Sequence, residues 1–254
     1  MSQADLAVRP TFPAPSVGRR HPVTLFTGEL RLVFGRRRNQ VLLFALALIP
    51  LAVGLALRFA GPGGGGGDSG VGSFVAQVTH NGLFLVFTSL LVTLPIFLPM
   101  VLGVVAGDSV AGEASMGTLR YLLVAPAGRT RLLAAKAVSL VAFCLAATFV
   151  VAVVGLVVGV ALFPVGPVPL LSGDTISFGA ALVRTVLIAL VVAASLLGLA
   201  SMGLFISTLT STPLAAMAVT VGLPITAQIL DTIPQLHTIQ PYLFQHYWLS
   251  FADL

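Results

Sequence analysis

Residues 185–230 form a run of 46 positions without a single Asp, Glu, Lys or Arg. A bilayer core is crossed by about 20 apolar residues in helical form, so this run is long enough for two spans. The turn residues STLTST at 207–212, followed by Pro213, supply the break between them. The expected spans are 178–209 and 213–230. The same reasoning predicts spans at about 41–58, 83–107 and 132–163; the last is closed by PVGPVP at 164–169. Only 8% of the 254 residues are charged and 57% are hydrophobic, against about 25% charged in soluble domains. The chain reads as all-α: a polytopic membrane bundle of five transmembrane helices in one domain.

The flanking segments differ in character. Residues 1–23 hold four prolines and no apolar core of a leader peptide, and they read as a disordered tail. In residues 24–38, Leu25, Phe26, Leu30, Val33 and Phe34 recur at helical spacing, Glu29 and Arg31 lie off that stripe, and Arg36, Arg37 and Arg38 close the segment. That pattern predicts a helix lying in the membrane interface, its arginines anchored at the headgroups. Residues 231–254 carry two of the three tyrosines and the single Trp248, the composition of short interfacial or re-entrant helices with Trp248 as an anchor.

Orientation follows from the basic residues. Seven precede the first span, and Arg120, Arg129, Arg131 and Lys136 add four between the second and third, which puts 11 of 13 on one side. The positive-inside rule makes that side, and the N-terminus, cytoplasmic in the plasma (inner) membrane.

Several chemistries are disfavoured. The glycine run at 61–70 lacks the Lys-Ser/Thr pair of a phosphate loop. His237 and His246 are nine apart, not at metal-ligand spacing, so no metal site is expected. Asp108 and Asp174 fall on opposite sides of the membrane and cannot form a catalytic dyad, which weighs against an intramembrane enzyme. An ion-coupled secondary transporter would want midplane ionisable groups or broken helices in repeated halves, and only prolines qualify. Basic residues lie beside spans without interleaved aromatics, so nucleic acid is not expected as a partner and the bilayer is. Cys144 reads as a small buried hydrophobe, and Arg184 as a snorkelling residue near the outer face. Small residues in the fourth span, Ala193, Ala194, Ser195, Gly198, Ala200, Ser201 and Gly203, read as a close-packing face.

One stretch breaks the apolar pattern. Residues 107–136 hold Asp108, Glu113, Arg120, Arg129, Arg131 and Lys136, six of the 21 formal charges. Burying six charges in lipid would cost roughly 15–20 kcal/mol at about 2.5–3.5 kcal/mol each, so the island is expected outside the lipid core as a connecting loop. Asp108 and Ser109 would cap the end of the second span, and Gly112 and Gly117 would interrupt the helix. Thr118 is a good N-cap for a short helix 119–124, with Leu119, Leu122 and Leu123 on one face and Arg120 on another. Pro126 ends it. This is a short amphipathic helix at the mouth of two spans, able to pass a push from a docked partner. A plain loop whose charges only set topology fits the same residues.

The spelling Glu113, Gly117, Thr118, Leu119, Leu122, Leu123, Pro126, Arg129 and Lys136 resembles the cytoplasmic loop between the second and third spans of permease subunits of type-2 ABC exporters. The resemblance implies that Glu113 and 117–126 form or brace a coupling helix on a separate ATP-binding cassette subunit. Segment 24–38 would be the family's elbow helix. ATP and Mg would sit on the cassette, this chain would bind no cofactor and catalyse nothing itself, and it would pair with a second permease subunit for export. The family has six spans; five are legible here.

Overall fold

The computed structural model describes residues 22–60, 81–117, 129–164, 168–169, 175–176, 178–236, 240, 243 and 248. Residues 1–21 of the expected tail, the glycine run, the segment Thr118, Leu119, Arg120, Leu122, Leu123 and Pro126, and both His237 and His246 lie outside them, while the tail's last two residues begin the first helix.

Among the described residues seven α-helices follow one another: α1 (Pro22–Gly35), α2 (Arg37–Ala60), α3 (Phe84–Thr93), α4 (Phe97–Ser115), α5 (Arg129–Leu162), α6 (Phe178–Leu209) and α7 (Pro213–Asp231). Between α5 and α6, β1 (Val168–Pro169) and β2 (Thr175–Ile176) form a two-residue antiparallel ladder. Five helices (α2, α4, α5, α6 and α7) are long and apolar enough to cross a membrane. The chain is an all-helical multi-pass bundle. Large apolar side chains point outward all around it, among them Phe44, Phe59, Leu187, Phe205 and Leu214, as expected where the solvent is lipid.

The second span departs from its expected form in two ways. It breaks at residues 94–96 into α3 and α4, where Pro95 and Pro99 withhold two N–H donors from the helical ladder. Ile96 has φ −128° and ψ −54°. Beyond the break the helix does not stop at 107. It runs through Asp108, Gly112 and Glu113 to Ser115, so Gly112 is an ordinary helical residue and the first part of the island is helix, not loop. Ser109 is no cap either: its hydroxyl donates to the Ala106 carbonyl one turn back. The stop comes at Gly117, whose φ of +70° is the left-handed conformation glycine adopts just past a helix end. At the other end of the island, α5 begins at Arg129, so Lys136 lies two turns inside a helix.

Two Gly-x-x-x-Gly pairs position the helices. On α4, a Cβ at Gly107 would lie 2.8 Å from the Met217 Cα, and one at Gly103 would lie 3.2 Å from the Val221 backbone nitrogen, so α4 and α7 touch backbone to backbone. On α5, Gly155 meets the Val86 backbone of α3, and a Cβ on Gly159 would collide with the Gly82 carbonyl just before α3. The small-residue face predicted on α6 is divided. Ala193, Ala200 and Gly203 face inward, Gly203 against Thr220 and Ala106, while Ser201 is exposed and nothing lies near Gly198.

The main core gathers Leu90, Leu94, Leu98, Leu140, Phe143, Leu196 and Leu199 from α3 through α6. Trp248 is only 5% exposed and belongs to this cluster. Its ring, expected as an interfacial anchor, packs against the bundle.

Candidate functional site

Charge gathers at one end of the bundle, the end that carries α1. Lys136 of α5 sits between two carboxylates. Its Nζ donates to Oε1 of Glu113 on α4 at 2.6 Å and to Oε2 of Glu29 on α1 at 3.2 Å. All three residues are buried, Lys136 at 3% exposure, Glu113 at 5% and Glu29 at 7%. A lysine at this depth needs such company, because an uncompensated buried charge is costly. Glu29 was expected off the packed stripe of its helix; it turns inward to meet Lys136 instead.

A second cluster lies about a turn up α4. Asp108 Oδ2 accepts from Arg38 Nη2 at 2.7 Å and from Arg36 Nη1. Arg36 is the one non-helical residue between α1 and α2. Of the three arginines expected as membrane anchors, Arg36 and Arg38 therefore close on Asp108, while Arg37 is exposed. The first cluster carries two negative charges and one positive, and the second one negative and two positive, so the two together are formally neutral.

Between these clusters α6 reaches into α4. The Ser207 hydroxyl accepts from the amides of Val110 and Ala111 at 3.0 and 2.9 Å and donates to the Gly107 carbonyl at 2.6 Å. It bridges the N–H and C=O that form a single rung of the helical ladder, from 111 to 107, and ties the charged part of α4 to α6. Arg38 also reaches α7, with Nη1 3.8 Å from the Met217 sulfur.

The structure thus brings Glu113 of the predicted set together with Lys136, leaves Gly117 as the helix stop, and starts α5 at Arg129. Reading the sequence missed Glu29, Asp108 and Ser207 as partners. An Asp within an otherwise uncharged run was the available signal for one of them, since a charge there must be paired; nothing in the spelling marks Ser207. The arrangement ties α1, α2, α4 and α5 to one another at this end. Its carboxylates are engaged by cations, and among the described residues no three His, Cys, Asp or Glu gather to hold a metal. Arg184 is exposed, and Cys144 is buried with its thiol 3.4 Å from the Ala193 carbonyl.

No curated protein and no solved structure matches the chain. A family model does match, over residues 69–234. That match takes in α3 through α7 with the charged residues of α4 and α5, and the chain belongs to the family described as a protein of unknown function, DUF2705.

Proposed function

We propose that the chain is the membrane-spanning subunit of an ATP-driven exporter of the type-2 ABC class, powered by a separate cassette subunit that holds ATP and Mg. One observation carries this reading. Glu113 and Lys136 bracket the segment that bears the resemblance; they are bonded to each other, and Lys136 also bonds Glu29 of α1. A load applied to that segment is delivered to α1, α4 and α5 together, as a coupling element requires. In this reading the end with the ion pairs faces the cytoplasm, two permease subunits associate, and the membrane concerned is the plasma membrane.

The test is reconstitution of the chain with candidate cassette ATPases. The expected result is a stable complex whose ATP hydrolysis depends on this chain and loses that dependence with Leu122→Asp. Failure of every cassette protein from the same genome to bind would overturn the reading. The discontinuity of the second span at 94–96 favours one alternative, an ion-coupled transporter with its site at a broken helix. Transport driven by a proton or sodium gradient without ATP would establish that alternative.

A further inference from the structure

Besides the extensive contact of α5 with α6, two groups of helices share the second span. Its first part, α3, is held by α5 through Gly82, Gly155 and Gly159, and α1 and α2 also pack on α5. Its second part, α4, is held by α7 through Gly103 and Gly107 and by α6 through Ser207. Small-residue contacts and buried hydroxyl bonds of this kind are hard to slide, because backbone meets backbone. Only residues 94–96 join the two parts of the span, and there the helical ladder is interrupted by Pro95 and Pro99.

The contact between the groups is uneven along the membrane normal. Near mid-depth α5 and α6 are tightly packed, with Phe143, Cys144 and Ala147 against Ala193 and Leu196 in one core. The break lies at this level, since Val86 and Ser89 of α3 lie against Gly155 of α5 and Leu94 is two turns further on. Toward the charged end α5 and α6 diverge. They leave an apolar groove of about 520 Å³ lined by Leu133, Ala137, Leu140, Gly198, Leu204 and Phe205. At that end three of the four ion pairs among the described residues cross between the groups: Asp108 to Arg36, Asp108 to Arg38, and Glu113 to Lys136.

We infer that α4, α6 and α7 swing as a unit against α1, α2, α3 and α5 about the break at 94–96, and that the Asp108 and Glu113 ion pairs are the latch holding the charged end closed. The groove is the gap across which the swing takes place. The inference does not depend on what drives the protein. Helix α4 is about 28 Å long at 1.5 Å per residue, so a tilt of about 10° moves its charged end by about 5 Å.

The full chain in lipid nanodiscs, with Cys144→Ala, is spin-labelled at Leu32→Cys on α1 and Leu209→Cys on α6, both exposed and on opposite sides of the seam. Distances are read by pulsed electron resonance. The expected result is a single distance with the latch intact and an added population about 5 Å longer with Asp108→Asn and Glu113→Gln. Adding Pro95→Ala should diminish that population. A second pair, Leu209→Cys with Ile229→Cys, lies within one group and should not change. If the paired variant misfolds, Arg38→Gln, which removes one exposed partner of Asp108, should give the same longer population at lower weight. An unchanged Leu32–Leu209 distance in the folded latch variant would overturn the inference. So would equal broadening of the control pair, or a longer population insensitive to Pro95→Ala.

Discussion

Lys136 Nζ lies 2.6 Å from Glu113 Oε1, in a different helix and 23 residues away in the chain. The pair closes the segment between α4 and α5, and Glu29 joins it from α1. Lys136→Met would remove the cation that both buried carboxylates share. The expected loss is about 3–5 kcal/mol of folding stability, the usual consequence of removing one partner of a buried ion pair. Replacing all three residues, Glu29→Leu, Glu113→Leu and Lys136→Met, should recover most of it, because apolar substitutes of similar volume no longer need charge compensation. Denaturant titration of the purified protein in mixed micelles measures both variants. Equal destabilisation in the two would show that packing, not charge, dominates at this site.

Ser207 makes a second separable contribution. Ser207→Ala removes the bridge between the Gly107 carbonyl and the amides of Val110 and Ala111. A buried group left without its partner costs about 1–3 kcal/mol. The loss should be local: amide hydrogen exchange at 110 and 111 should accelerate, while exchange in α3, on the far side of the break, keeps its rate. Uniform acceleration along the span would mean that Ser207 supports the whole bundle.

The sidedness read from the basic residues can be tested at two exposed positions at opposite ends of the bundle. Thr212 lies in the turn between α6 and α7, at the charged end, and Pro164 follows α5 at the other. In a Cys144→Ala background, intact cells treated with a membrane-impermeant maleimide should label Pro164→Cys and spare Thr212→Cys until they are permeabilised. The reverse pattern would invert the topology and place the charged end outside.

The five-span bundle was legible because hydrocarbon allows few alternatives: uncharged runs of 20 or more residues must be helices, and turn residues mark their ends. The course of the second span was less so. Pro95 and Pro99 were visible, but proline is tolerated within spans; α2 continues through Pro50 and α7 through Pro224. Whether a proline bends or breaks a helix depends on what packs beside it. The charged island was misread for a related reason. The cost of burying charge was reckoned against lipid one residue at a time, whereas Asp108, Glu113 and Lys136 are buried in protein beside opposite charges. Pairing across distant helices leaves no local pattern in the chain. Glu29, placed off the apolar stripe by helical periodicity, and Arg36 and Arg38, read as headgroup anchors, show the same blindness.

Glycine substitutions on adjacent helices should differ in sign, because two glycines in similar apolar sequence have different neighbours. A Cβ at Gly107 would lie 2.8 Å from both N and Cα of Met217. These are backbone atoms that cannot yield without separating α4 from α7. Gly107→Ala should therefore cost about 1–3 kcal/mol, as overpacking does. Gly198 on α6 has nothing within 4 Å of the position a Cβ would take. Gly198→Ala should instead stabilise by about 0.5–1 kcal/mol, because alanine loses less backbone entropy on entering a helix. Thermal unfolding of the two variants under identical detergent conditions should give midpoints on opposite sides of the wild type. If both fell below it, the open side of Gly198 would be covered by something that tolerates no added methyl.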